Sequence, residues 1–505
     1  MPRTDKSISD LAEWNEWWAT GDLSPLDPNM LDWSRSKFKW QPRLMKTLEE
    51  EDVIYVLRGP RRIGKTTLLK LKIKSLLEEG VAPKNIFFYP CDLLDNPRQL
   101  ADVMDTYISQ MKSDEGRAYL FIDEVSSLKD WQRAIKNFFD AGKLPGCTLL
   151  LTGSHSIDLK GASESLAGRR GDVARLTYKT PDKILLPAKF SEYVETIDER
   201  LNGVIEDLKL FRKEKRLEIF SSLADGNIPS EVDQLKIYTK DLNRLLEQYL
   251  ITGGVAPAVD QYISGRKIEQ DTYDMFIGNM VRDLARWRHR EAFARQVLRG
   301  IIESMCSRTN WSALKKLTDI SDSRTVEDYA VTLEDSYVAG IFYRLNEQKG
   351  EPQYGKDKKI YIQDPFILHA CRGWIFGKNS FQLSLEYLRF DENKSALIES
   401  IVGNHLSRLM FIAHPDPHFT PSSSVFYWTN KKNKEIDFII GLNDKYMPVE
   451  VKYSNSIKSD HASAIFDFFN ATSQAHNCGV ITSIDVLETR GRYTILPVCI
   501  LLLLV

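Results

Sequence analysis

The stretch LRGPRRIGKTTLLK, residues 57–70, follows the apolar run Val53-Ile54-Tyr55-Val56-Leu57 and opens a segment with helical spacing. Gly59, Pro60, Arg61, Arg62, Ile63, Gly64, Lys65 and Thr66 fit the pattern GxxxxGK[ST] at every fixed position. Strand, glycine loop and helix in that order are the context the motif requires. The glycines let several backbone N–H groups turn inward toward phosphate oxygens, and the helix N-terminus adds its partial positive charge. Lys65 is expected on the β- and γ-phosphates of ATP. Thr66 is expected on Mg²⁺, with Thr67 continuing the nucleotide contact.

A phosphate loop calls for an apolar strand ending in acid. RAYLFIDEVSSLKDW, residues 117–131, supplies one. Asp123 is placed to hold Mg²⁺, and Glu124 to orient or deprotonate the attacking water. A further strand, 148–151, ends in Thr152-Gly153-Ser154-His155. Thr152 and Ser154 are candidates to sense the γ-phosphate, with ordinary turn chemistry as the alternative. Arg169 and Arg170, on the Gly-flanked loop LAGRRG, are candidates to stabilise transition-state charge in cis or from a neighbouring subunit. Solvated loop charge is the competing reading.

Together GPRRIGKTT, LFIDEV, LLLTGSHS, LAGRRGDV and LLPAKFSEY resemble the ATPase half of an AAA+ family found in archaea and bacteria. YLITGGVAPAV, residues 249–259, is similar to a Gly-Gly segment of the same family. The resemblance implies nucleotide hydrolysis and a ring-like homo-oligomer, a hexamer being compatible.

The bulk numbers agree with a globular chain of about three domains: 505 residues, 43% hydrophobic and 27% charged. A formal net charge of −2 excludes a global basic field, so any contact with nucleic acid must come from local patches. One candidate patch is Arg282, Arg286, Arg288, His289, Arg290, Arg295 and Arg299, interleaved with Trp287 and Phe293. It reads as a nucleic-acid contact or a source of trans arginine fingers, or else as a salt-bridged helix end. The basic cluster Arg212, Lys213, Lys215 and Arg216 reads as a solvated helix face. Residues 296–346 and the following KKIYIQDP give helix, turn, second helix and strands, a winged-helix pattern. Ser323, Arg324 and Thr325 start its second helix, but Glu327, Asp328, Glu334 and Asp335 make that helix acidic.

The six cysteines show no metal spacing, which suits buried thiols in a reducing cytosol. The N-terminus lacks the apolar core of a signal peptide. The closing YTILPVCILLLLV is too short to span a bilayer and is expected to be a buried final strand. A cytoplasmic protein without membrane contact follows.

The last 110 residues carry a second constellation. SALIESIVGNHLSRL is an amphipathic helix bearing Glu399. Strands are expected at 425–429, 435–440 and 447–453, with Asp437 in the second and Glu450 and Lys452 in the third. Residues i and i+2 of a strand face one side, so Glu450 and Lys452 project together and Asp437 can join them. Acids that hold Mg²⁺ or Mn²⁺, and a lysine that places water, are what phosphodiester cleavage needs. The set Glu399, Asp437, Glu450, Lys452 resembles the PD-(D/E)xK nuclease fold, and the same AAA+ family ends in such a domain. A plain surface salt bridge is the alternative.

The expected organisation is α/β throughout. An N-terminal extension (1–35) precedes a P-loop AAA+ ATPase domain (36–195). A helical lid or connector (196–295), a winged-helix-like domain (296–375) and a restriction-endonuclease-like domain (376–505) follow. The function expected is an ATPase acting on DNA in repair, recombination-intermediate processing or defence. The alternative is a nucleotide-switched signalling or scaffold ATPase whose C-terminal domain is a non-catalytic docking module.

Overall fold

Continuous apolar runs, rather than alternating ones, mark strands covered on both faces. Four such runs and one short strand of mixed character form the sheet of the first unit in the computed structural model. The model describes residues 7–505 apart from 114, 154–158, 160, 162–165, 167, 178–179 and 415–423. The chain divides into two compact units, Met1–Leu186 and Pro187–His414 with Phe419–Val505.

In the first unit β1 (Ile54–Arg58), β2 (Ile86–Pro90), β3 (Ala118–Asp123), β4 (Cys147–Thr152) and β5 (Asp182–Ile184) lie in the order β2-β3-β4-β1-β5. All four pairings are parallel. Every strand end that follows the chain direction therefore falls on one edge, where Gly59, Asp123 and Thr152 meet. The helix Lys65–Glu78 buries Leu68, Leu69, Ile73 and Leu76. On one side of the sheet Val56, Phe87, Leu120 and Leu149 pack with Val103, Tyr107, Ile135 and Phe138.

Residues 8–20 cover the free edge of β2. Leu11 joins the core cluster. Asn15 mimics a strand residue: its Nδ2 donates to Phe88 O at 3.0 Å and its Oδ1 accepts from Phe88 N at 2.7 Å. The indole N–H groups of Trp17 and Trp18 both donate to Ile86 O.

The second unit begins with helices, among them Phe190–Ile197, Thr239–Thr252 and Gln270–Arg286. The Gly253-Gly254 pair is explained by close approach. Gly254 donates to Asp364 Oδ2 at 2.9 Å and accepts from Ala188 N at 2.9 Å. A Cβ there would lie 1.8 Å from Ala188 O. Helices Glu291–Glu303, Trp311–Lys315 and Ser323–Asp335 lead into an antiparallel ribbon of β6 (Ala339–Tyr343) and β9 (Lys358–Ile362). A short pair, β7 (Leu345–Asn346) and β8 (Glu351–Pro352), lies between them in sequence.

The helix Asp391–Ala413 then precedes a mixed six-stranded sheet. Its strands are β10 (Val425–Thr429), β11 (Glu435–Leu442), β12 (Lys445–Glu450), β13 (Gly479–Ser483), β14 (Glu488–Arg490) and β15 (Tyr493–Pro497). The order is β10-β11-β12-β13-β15-β14. The first three strands are antiparallel, and β12-β13 and β13-β15 are parallel. The helix Ser463–Ala471 makes the crossover from β12 to β13. Its Ile465 and Phe468 pack with Trp428, Ile436, Ile439 and Ile481.

Two expectations change here. The closing apolar run is not one strand: it pairs with β13 only as far as Pro497, then becomes a buried helix, Val498–Leu504. Pro497 suits that switch, because it cannot continue the ladder as a donor, and the leucines that follow are good helix formers. The cluster at 212–216 is not uniformly solvated. Arg216 is buried and its Nε donates to Leu210 O, while Lys215 pairs with Glu218 and Glu231. No helix among the described residues is long and apolar enough to cross a membrane.

Candidate functional sites

The loop between β1 and the helix Lys65–Glu78 is shaped by its two glycines. A Cβ on Gly59 would lie 2.2 Å from Leu185 O, and Gly64, the N-cap, has φ +102°. No side chain caps that helix, so its first N–H groups are left to the loop interior. Lys65 Nζ donates to Gly59 O at 3.0 Å and Pro60 O at 2.8 Å, which holds the ammonium over the loop. Ile63 is buried, whereas Arg62 is exposed with φ +58°.

Asp123 ends β3 and is almost wholly buried. Thr66 Oγ1 donates to its Oδ2 at 2.7 Å, and the Thr152 hydroxyl makes a short bond to Oδ1. Thr152 Oγ1 also accepts from Glu124 N at 3.2 Å. Burial pushes the Asp123 carboxyl up, and the two threonine hydroxyls pull it back toward the charged form. Thr66 and Asp123 are hard oxygen donors side by side, a set that fits Mg²⁺. Thr152, expected as a γ-phosphate sensor, has its hydroxyl engaged by Asp123 and Glu124. Glu124 follows the strand in the left-handed region, φ +52°, an uncommon conformation for a non-glycine residue. Ser154, the other expected sensor, lies outside the described residues.

The arginine pair is corrected by position. Gly171 bridges to Val53 and Arg170 O accepts from Ile54 N, both at the start of β1. The phosphate loop lies at the other end, ~20 Å away for a strand rising about 3.3 Å per residue. A cis role on this chain's own nucleotide is ruled out for both. Arg170 is buried against Asp182 at 3.1 Å, so it is a structural ion pair and not a finger. Arg169 is more exposed and held by Asp140 at 2.8 Å.

In the second unit the four expected residues do converge. Phe438 pairs with Val449, which sets Asp437 opposite Glu450. Asp437 Oδ2 accepts from Val451 N at 2.9 Å. Lys452 Nζ reaches Glu450 Oε1 at 2.6 Å. β12 ends at Glu450, not 453, and Thr482 pins the next turn by accepting from Lys452 N. Burial and the neighbouring Asp437 push Glu450 up, while Lys452 draws it back.

The sequence reading missed three members. Lys359 of β9, fully buried, places Nζ 3.0 Å from Glu399 Oε1, 2.7 Å from Glu435 Oε1 and 2.9 Å from Asp437 Oδ1. Tyr361 Oη donates to Glu399 Oε1 at 2.6 Å. Glu435 was within reach of the i, i+2 rule from Asp437; Lys359 had no local signal. Among the described residues no group of three or more His, Cys, Asp or Glu side chains is disposed to hold a metal ion. As arranged, Glu399 and Asp437 engage the Lys359 ammonium and Glu450 that of Lys452, so the three expected metal ligands are held by lysines.

The basic stretch at 282–299 is divided between two helices. Arg295 and Arg299 pair within their helix with Glu291 and Glu303. Arg282 bonds Asn279, and His289 bonds Thr332. Arg324 is exposed at the start of its helix, which Asp322 caps.

Residues 51–194 match the model of the AAA domain. With the five-stranded parallel sheet and its loop, the first unit carries a P-loop AAA+ domain. Residues 243–376 and 394–501 match two domains of unknown function, DUF8612 and DUF4143. An uncharacterized protein of Haemophilus influenzae is 26% identical over 127 residues, 24% of this chain and 30% of that protein. The chain thus spans under a third of that relative. Among solved structures, Aeropyrum pernix Orc1 in complex with DNA is similar at 11% identity and TM-score 0.28, over 65% of this chain and 90% of that one. A RuvB variant of Thermotoga maritima follows at 17% and 0.24, over 64% and 94%. AMPPCP-bound DnaA of Aquifex aeolicus follows at 17% and 0.20, over 58% and 86%.

Proposed function

We propose that the protein hydrolyses ATP and uses the cycle to act on DNA. The observation that carries the ATPase reading is the 2.7 Å contact between Thr66 Oγ1 and Asp123 Oδ2 beside the Lys65 loop. Thr66 and Asp123 would hold Mg²⁺, which neutralises charge on the β- and γ-phosphate oxygens. Lys65 exchanges its two carbonyl partners for phosphate. Glu124 orients the attacking water, and Thr152 keeps Asp123 turned toward Thr66. Arg169 acts on the nucleotide of a neighbouring copy in a ring.

DNA as the object is supported by the element order of residues 391–483: helix, three antiparallel strands, crossover helix, parallel strand. That order, with acids and a lysine at one end of the middle strands, is similar to the restriction-endonuclease-like fold. The three helices and ribbon of 291–362 support a winged-helix module beside it. Lys359 within the acid cluster favours a second reading for this part, a non-catalytic docking domain.

Lys65→Ala should abolish ATP turnover while circular dichroism stays unchanged; undiminished turnover removes the nucleotide assignment. DNA affinity should fall steeply with rising salt, as phosphate-driven binding does. Absence of any DNA affinity at low salt selects the nucleotide-switched scaffold.

A further inference from the structure

We infer that Lys359 is the resident cation of the second unit's carboxylate cluster, and that its ammonium keeps divalent metal ions out of that cluster. An ammonium has three N–H donors. Here two of them donate, to Glu399 on the helix Asp391–Ala413 and to Asp437 on β11, and Glu435 of β11 completes the set as an ion pair. All three oxygens lie between 2.7 and 3.0 Å from the ammonium nitrogen, at or close to charge-assisted distances. Mg²⁺ requires oxygens at about 2.0–2.1 Å in near-octahedral array, so the same oxygens cannot serve both cations at once.

The placement is built rather than incidental. Lys359 and Tyr361 stand two apart on β9 and face the same side. Tyr361 fixes the same Glu399 oxygen that Lys359 touches. The Lys359 side chain has no exposure at all. Burial alone would push its ammonium toward neutrality, but Asp437, Glu399 and Glu435 hold it well above its ordinary value. The cluster holds four acids, Glu399, Glu435, Asp437 and Glu450, against three cations: Lys359, Lys452 and Arg308, which pairs with Glu435 at 3.0 Å. Removing Lys359 leaves buried negative charge that a proton or another cation must offset. The contact is thus autoinhibitory toward metal: the Lys359 ammonium must leave these oxygens before the acids can coordinate one.

The test uses the full chain without nucleotide. Any Mn²⁺-induced shift in the melting temperature of the wild-type protein should be the same in Asp437→Asn. Lys359→Met should melt lower, and Mn²⁺ should restore part of the loss. Electron paramagnetic resonance should count a bound Mn²⁺ in Lys359→Met that wild type lacks, and adding Asp437→Asn should remove it. These differences cancel any Mn²⁺ held at Thr66 and Asp123. Should Lys359→Met not fold, the milder Lys359→Gln is read in the same way. A Mn²⁺ bound by wild type and lost in Asp437→Asn overturns the inference. So does a folded Lys359 variant with no more Mn²⁺ than wild type. Neither result depends on ATP turnover or DNA affinity, so failure of the proposed function leaves this inference standing.

Discussion

Two threonines from distant parts of the first unit hold the two oxygens of one buried aspartate. Thr66 comes from the helix after the phosphate loop and Thr152 from the end of β4. Each donates to the charged form of Asp123 and so draws its carboxyl back down against the larger, upward effect of burial. Thr152→Val removes one donor and leaves the Glu124 N–H without its acceptor. A hydrogen bond of this kind is worth about 1–3 kcal/mol, and if that loss falls on the transition state ATP turnover should drop by about fivefold to about a hundredfold. The carboxyl also moves further up, so the acid limb of the pH–rate profile should shift to higher pH. An acid limb that stays in place would assign Thr152 a role apart from Asp123. At this scale the sequence was largely legible. The fixed spacing of Gly59, Gly64, Lys65 and Thr66 reflects a local backbone requirement, and Asp123 announced itself at the end of an apolar run. What Thr152 bonds to was not legible, because it depends on how β4 sits beside β3.

A parallel sheet has two unlike edges, and the side chains that matter are sorted between them. Gly59, Asp123 and Thr152 are at the edge where strands end; Arg170 and Gly171 are at the edge where β1 starts. Arg170 and Asp182 are both buried there, and burial lowers the Arg170 guanidinium while Asp182 partly restores it. Arg170→Ala should destabilise the first unit by about 1.5–3 kcal/mol, since it removes the charged partner that Arg170 gives the buried Asp182 carboxylate. The double variant Arg170→Ala/Asp182→Ala should be less destabilised than the sum of its singles, as read from urea midpoints. Additive losses would mean the pair is not coupled. The two arginines looked alike in the sequence because Gly-Arg-Arg-Gly carries no sign of which side chain turns inward. The closing Leu-rich run was ambiguous for a different reason: short apolar runs have no periodicity that separates strand from buried helix.

Across the whole molecule, long-range pairing is what the sequence concealed. The i, i+2 geometry of Glu450, Lys452 and Asp437 was readable within one hairpin. Lys359 was not, because its three partners lie on elements far along the chain and only folding gathers them. Assembly is the other property of this scale. Arg169 stands at the far edge from its own nucleotide, more exposed than Arg170 and tethered to Asp140 by a surface pair that is worth little by itself. If copies form a ring, mixing Arg169→Ala protein with Lys65→Ala protein should recover part of the ATP turnover that neither shows alone. No recovery would reduce Arg169 to its ion pair.

The first unit's sheet also governs how copies can meet. Asn15 fills the hydrogen-bonding row beside Phe88, and the two indoles close the row at Ile86. The opposite border is β5, only three residues long. Neither flank offers a template on which a foreign strand could zip. If copies of this chain associate, they would recognise one another by the chemistry of their faces, since the described borders of this sheet leave little room for strand-on-strand stacking.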